Sequence, residues 1–109
     1  MNTSWLARVL IQAFLFLLVS SHCLAAKPIK IGIVDTYSGP ASLYSNDVRD
    51  AFLMMVDKMN ASGGIFDNKV EVIMRDDKFE VGVGLPEAKE LIMKEQVDLM
   101  MGTINSALS

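Results

Sequence analysis

Three short apolar runs alternate with two stretches of helical period along the chain. Ile29 to Val34 reads IKIGIV, Lys69 to Met74 reads KVEVIM, and Val97 to Met101 reads VDLMM. Short apolar runs bounded by turn residues predict strands. Between the first two, Val48, Ala51, Phe52, Met55, Val56 and Met59 recur at i, i+3, i+4, i+7, i+8 and i+11. That spacing marks one face of an amphipathic helix, so these positions are expected core. Asn46 or Asp47 is the expected N-cap, because a side-chain oxygen there accepts an unpaired N–H of the first turn. Gly63-Gly64 is the expected stop, since glycine enters the left-handed conformation without a Cβ clash. A second helix is expected over Leu85 to Glu95. Leu85, Ala88, Leu91 and Ile92 form its apolar stripe, and Pro86 suits its first turn.

The order β-α-β-α-β predicts an α/β fold: a three-layer arrangement around a parallel sheet, strand order 2-1-3, one helix on each face. In such a sheet, ligands sit beyond the carboxyl ends of the strands, near the point where strand order reverses. The candidate ligand loops are therefore 35–45, 76–84 and 102–109.

The start of the chain has a different character. Met1 to Arg8 carries one positive charge and no acid, Val9 to Ser20 runs VLIQAFLFLLVS, and Ser21 to Ala26 ends in small residues. A basic start, an apolar run of about a dozen residues and a small-residue exit predict a secretory signal peptide over 1–26, with cleavage after Ala26. An uncleaved anchor is the competing reading, but a spanning helix needs roughly 20 apolar residues. A lipid anchor on Cys23 would want a Leu-type residue three places before it and a small one directly before it; Ser20 and His22 stand there.

Export changes the chemistry that can be sought. The only Cys (Cys23) and the only His (His22) lie in the predicted leader. Residues 27–109 therefore hold no disulfide, no Cys or His metal ligand and no His-activated nucleophile. The formal net charge of −3 over 109 residues is mild and interspersed. Nothing resembles the basic cluster of a nucleic-acid binder, so no nucleic-acid partner is expected.

Three classes compete for the loops. A dinucleotide enzyme needs G-x-G-x-x-G directly after a strand; the loop after strand 1 has only Gly39, and Gly82-x-Gly84 is followed by Glu87. A phospho-receiver would use Asp35 with Asp76-Asp77 to hold Mg²⁺, but strand 3 ends in Gly102-Thr103 with no acceptor Asp. The ordinary reading of Asp76-Asp77 is capping, loop solvation or pairing with Arg75 and Lys78. A binding module fits better. Thr36, Tyr37, Ser38, Tyr44, Thr103, Asn105 and Ser106 offer hydroxyls, an amide and aromatic faces that orient a small polar solute without reacting with it. No enzymatic activity and no cofactor are expected.

Three segments, IKIGIVDTYSGPASLY at 29–44, MNASGGIFDNKVEVIMRDD at 59–77 and KELIMKEQVDLMMGTINS at 89–106, stand at the spacing of one family. Together they resemble the N-terminal lobe of type I periplasmic binding proteins, in the subgroup that serves branched-chain amino acid ABC transporters. The resemblance implies a periplasmic, extracytoplasmic protein that binds a small-molecule ligand, an amino acid or other small carboxylate, and delivers it to a membrane permease. It implies that residues 27–109 are the N-terminal part of lobe 1, with a second lobe closing on the ligand. Ser38-Gly39-Pro40 and Tyr44 match the family's first ligand loop. Gly102 and Ser106 match the loop whose serine hydroxyl and neighbouring N–H groups hold the ligand carboxylate. Ser106, Tyr44, Ser38, Asn105 and Thr103 are the expected ligand contacts. Thr103 and Asn105 stand where members vary, and EVGVGLP replaces the usual Asp-Pro start of the second helix, which is similar to relatives that bind aromatic acids. Two alternatives thus stay open: an aromatic-acid-binding transport protein, and a receptor's ligand-sensing domain of the same fold. A residue-level alternative also stands for each contact: Ser106 as a helix cap, Tyr44 as a packed aromatic, Ser38 as a turn former.

Overall fold

A computed structural model describes residues 26–108, together with Leu6 and Arg8. The leader predicted over 1–26 thus lies, apart from Leu6, Arg8 and Ala26, outside the described residues. Among the described residues, no helix is long and apolar enough to cross a membrane.

The described chain runs β1 (Ile29–Asp35), α1 (Ser42–Ala61), β2 (Val70–Asp76), α2 (Val81–Met93), β3 (Leu99–Met101). The strands form one sheet in the order β2-β1-β3. Both pairings are parallel, Ile29 opposite Val70 through Asp35 opposite Asp76, and Ile31 opposite Leu99 through Ile33 opposite Met101. The connection from β1 to β2 and that from β2 to β3 cross the sheet in opposite senses. Right-handed crossovers then put α1 and α2 on opposite faces.

The register assigns the faces. Gly32, Val34 and Met100 share one face, and Val34 and Met100 line a recess with Gly84 and Ala88 of α2. Gly32 permits that packing: a Cβ there would lie 3.0 Å from Met100 Sδ and 3.1 Å from the Val97 methyls. Ile31, Ile33, Leu99 and Met101 lie on the other face. Since α1 passes from β1 to β2, Leu99 and Met101 are left exposed while Ile33 is buried. The apolar core of the described residues is Ile33, Val34, Val56, Val70 and Leu91.

Both helices begin four residues earlier than the apolar pattern suggests. Helix α1 starts at Ser42, directly after the Gly39-Pro40 turn, with Ala41 at the cap position and no side-chain cap. Asn46 instead accepts a hydrogen bond from Arg49 Nη1 at 3.0 Å. The helix is also rotated from its expected stripe. Ser45 and Val56 are buried and Phe52 is half-buried, whereas Val48, Ala51 and Met55 are exposed. In α2 the side facing the sheet carries Gly84, Ala88 and Leu91, with Leu85 and Ile92 exposed. Pro86 falls inside this helix rather than in its first turn.

At the opposite end of the sheet, Asn60 clips the end of α1 to the start of β2. Its Nδ2 donates to the Val70 carbonyl at 2.8 Å and its Oδ1 accepts from the Val70 N–H at 2.8 Å. The intervening turn needs glycine at 64, where φ is +81° and a Cβ would strike the Asn68 carbonyl.

Candidate functional site

The carboxyl ends of the three strands bring together residues 36–41, 77–80 and 102–108. Asp77 lies at their centre, fully buried. Its Oδ1 accepts from Thr36 Oγ1 at 2.6 Å and from the Phe79 N–H at 2.8 Å. Its Oδ2 accepts from Thr103 Oγ1 at 2.7 Å. One carboxylate thus ties the loop after β1, its own loop and the loop after β3. Burying a carboxylate is costly unless both oxygens find donors, and here they do.

Two neighbouring carboxylates order backbone. Asp35 Oδ1 accepts from the N–H groups of Thr36 at 2.8 Å and Ile104 at 3.0 Å. Asp76 Oδ1 accepts from those of Tyr37 and Lys78, each at 2.9 Å. The Asp76 carboxyl is held below the usual carboxylate range. Partial burial pushes it up, but hydrogen bonds from the Ser38 hydroxyl and the Lys78 and Tyr37 N–H groups outweigh that. Tyr37 is pushed up to about 12, first by burial and then by the charge of Asp35, against the opposing pull of Arg49. The Arg49 guanidinium stands 5.7 Å from the centre of the Tyr37 ring. The ordinary reading of Asp76-Asp77 as partners of Arg75 and Lys78 gives way to these loop contacts. Arg75 pairs instead with Glu87 at 3.3 Å and Glu95 at 3.2 Å.

The five expected contact residues fall into two groups. Ser38, Tyr44 and Ser106 are exposed; Tyr44 lies in the first turn of α1 with 76% of its surface accessible. Thr103 and Asn105 are turned inward. The Thr103 hydroxyl donates to Asp77 and accepts from the Asn105 N–H at 3.0 Å. Asn105 is buried, its Oδ1 accepts from the Ala107 N–H at 3.1 Å, and its carbonyl accepts from the Leu108 N–H at 2.9 Å. Asn105, rather than Ser106, therefore caps the turn at 106–108.

Sequence reasoning missed Thr36, Asp77 and Ser45 as organisers. Thr36 is fully buried, and its carbonyl accepts a hydrogen bond from the buried Ser45 hydroxyl. A signal was present: Thr36, Asp77 and Thr103 each closely follow a strand, and the expected order 2-1-3 brings the ends of those three strands side by side.

A recess of about 270 Å³ lies on the α2 side of the sheet, lined by Val34, Ala88, Met100, Leu108 and neighbours. Its lining is mainly apolar and includes none of the exposed Ser38, Tyr44 and Ser106. The polar loop ends are the better candidate for a small solute, because hydroxyls and N–H groups there can orient one.

The match to a family model decides the family: residues 28–109 match the model described as "Periplasmic binding protein". This chain belongs to the periplasmic binding protein family. Relatives of this binding protein include Leu/Ile/Val-binding protein homolog 8 of Brucella suis, 34% identical over 104 residues, covering 94% of this chain and 26% of that protein. Homolog 7 of the same organism is 32% identical over 82 residues, covering 75% of this chain and 20% of that protein. Among solved structures, the branched-chain amino acid transporter substrate-binding protein LivJ of Streptococcus pneumoniae, in complex with isoleucine, superposes with a TM-score of 0.64. It is 30% identical, over 68% of this chain and 21% of LivJ. A type 1 periplasmic binding protein of Bordetella pertussis superposes with a TM-score of 0.68 at 25% identity, over 75% of this chain and 22% of that one. The fold is thus that of type I periplasmic binding proteins, and the binding protein spans a fifth to a quarter of the length of these relatives.

Proposed function

We propose that residues 27–109 form the N-terminal part of the first lobe of an extracytoplasmic solute-binding protein serving an ABC transporter. Its ligand is a branched-chain amino acid or a related small carboxylate, which a second lobe encloses and a membrane permease receives. One observation carries this reading. Asp77 gathers three strand-end loops, and Ser38, Ser106 and, in the first turn of α1, Tyr44 are exposed beside them, at the end of the sheet where such folds bind ligand. The names of the relatives supply the ligand class.

Ser106 follows the Asn105 cap and is exposed, so its hydroxyl can donate to a ligand carboxylate. Tyr44 offers a flat face with a polar tip, suited to covering the rest of a small solute. A hydrogen bond to a charged group contributes about 1.5–3 kcal/mol. Ser106→Ala in the whole protein should therefore weaken isoleucine binding roughly 10- to 150-fold, at about 1.4 kcal/mol per tenfold. Tyr44→Ala should weaken it by an amount that depends on ligand size. Calorimetric titration with leucine, isoleucine, valine and aromatic acids is the test. Unchanged affinity of Ser106→Ala for every ligand that binds the parent would refute the contact, and binding of aromatic acids alone would move the assignment to that ligand class.

A further inference from the structure

We propose that Asp77 is the positioning residue of this binding site, setting the placement of Ser106 and Tyr44 through two separate hydrogen-bonded arms without touching the ligand. The proposal rests on the ligand-contact reading of those two residues and adds the device that holds them.

The first arm runs through Thr103. Asp77 Oδ2 accepts its hydroxyl, that hydroxyl accepts the Asn105 N–H, and the Asn105 side chain caps the turn that carries Ser106. The second arm runs through Thr36. Asp77 Oδ1 accepts its hydroxyl, and the Thr36 carbonyl accepts the Ser45 hydroxyl, one residue from Tyr44. Asp77, Thr36 and Ser45 are all essentially removed from water, and Asn105 is buried. In a low-dielectric setting such bonds hold geometry firmly, and a missing partner is costly.

The carboxylate is essential to this design because every partner it meets is a donor. In Asp77→Asn the amide keeps its shape but can accept on one atom only. With its oxygen placed to take the Thr36 hydroxyl and the Phe79 N–H, its NH₂ faces Thr103. The Thr103 hydroxyl proton then loses its acceptor. The opposite orientation leaves two donors facing the NH₂ and is less favourable. Asp77→Asn should therefore loosen the Ser106 arm and spare the Tyr44 arm.

The experiment is a double-mutant cycle on isoleucine affinity in the whole protein. Asp77→Asn should weaken binding about tenfold, the effect of one lost charge-assisted contact. Once Asp77→Asn is present, adding Ser106→Ala should cost less than about threefold, because the serine is already misplaced. Tyr44→Ala should retain its full effect in the same background. Thr103→Val should reproduce the behaviour of Asp77→Asn, and Thr103→Ser should restore parental affinity. Should Asp77→Asn fail to fold, the two Thr103 variants carry the same test. Unchanged affinity in Asp77→Asn, or losses with Ser106→Ala that simply multiply, would overturn the positioning role. Should Ser106→Ala alone leave affinity intact, the ligand-contact reading fails separately. Amide exchange at Asn105 and Ala107 then decides the arm itself. Exchange about tenfold faster in Asp77→Asn supports it, since those amides are protected only while the arm is closed; unchanged exchange overturns it.

Discussion

Gly82 and Gly84 stand two residues apart in α2, and an added methyl group should act in opposite directions at the two. At Gly82 a Cβ would meet nothing within 4 Å, and the residue is exposed. Alanine there costs no contact and removes freedom from the unfolded chain, so Gly82→Ala should stabilise by about 0.4–1 kcal/mol. Gly84 is buried, and a Cβ would strike Leu108 Cδ1 and stand 2.9 Å from Asp77 Cβ. Leu108 offers the end of a side chain that can swing away. Asp77 cannot retreat in the same way, since its carboxylate is held at 2.6, 2.8 and 2.7 Å by Thr36, Phe79 and Thr103.

The helix-propensity gain at Gly84 is about 1 kcal/mol. Against it stand overpacking of about 1–3 kcal/mol and the stretching of a charge-assisted bond of about 1.5–3 kcal/mol. Gly84→Ala should thus destabilise by about 1.5–5 kcal/mol. Urea titration of the whole protein followed by circular dichroism measures both variants, and an unchanged slope with a shifted midpoint identifies a stability effect. Adding Leu108→Ala to Gly84→Ala should leave most of the loss in place, because the obstacle is Asp77. Equal stabilisation by both alanines, or full recovery on trimming Leu108, would refute the reasoning.

We propose that residues 1–26 are removed on export; N-terminal sequencing of exported material should read Lys27 first, and a start at Met1 would overturn this. Residues 27–109 alone should show no sharp cooperative melt near or above about 50 °C, since a chain of this size is marginal and only five apolar side chains among the described residues are buried. A sharp transition there, followed by calorimetry, would contradict it.

Element order and strand order were legible because parallel strands and crossover helices differ in period, and because crossover handedness leaves few topologies. Helix starts were not legible, for local reasons. SLYS after Gly39-Pro40 has the composition of a loop, yet Ser42 already accepts helical geometry, its N–H and hydroxyl both donating to the Gly39 carbonyl, at 3.2 and 2.7 Å. The VGVG run has the composition of a loop too, yet Gly84 is the one residue small enough to seat the first turns of α2 against Asp77. The stripe of α1 was misplaced because its most buried residue is polar. Ser45 turns inward to reach the Thr36 carbonyl, a bond that apolar periodicity cannot register. Ser38, Tyr44 and Ser106, exposed in the structure, were expected as contacts from the family resemblance. The hub was not, because Asp77 beside Arg75 and Lys78 resembles an ordinary solvated charge cluster until the sheet brings Thr36 and Thr103 to it.

The division of labour within these residues follows from where the sheet is covered. Apolar burial is concentrated at Ile33, Val34, Val56, Val70 and Leu91, below the strand ends. Elsewhere, Leu43, Tyr44, Val48 and Met55 on α1 are exposed, as are Leu99 and Met101 on β3. Hydrophobic contact therefore does little to place the loops at the mouth of the sheet. Their order comes from backbone N–H groups and hydroxyls donating to Asp35, Asp76 and Asp77. Such a network is directional where apolar packing is not. It fixes loop positions while leaving the Tyr44 and Ser106 side chains exposed. It also makes the site more sensitive than the fold to a single polar substitution. Losing the Thr103 hydroxyl removes two hydrogen bonds at the mouth and no apolar contact of the core, so Thr103→Val should disturb ligand affinity before it disturbs folding.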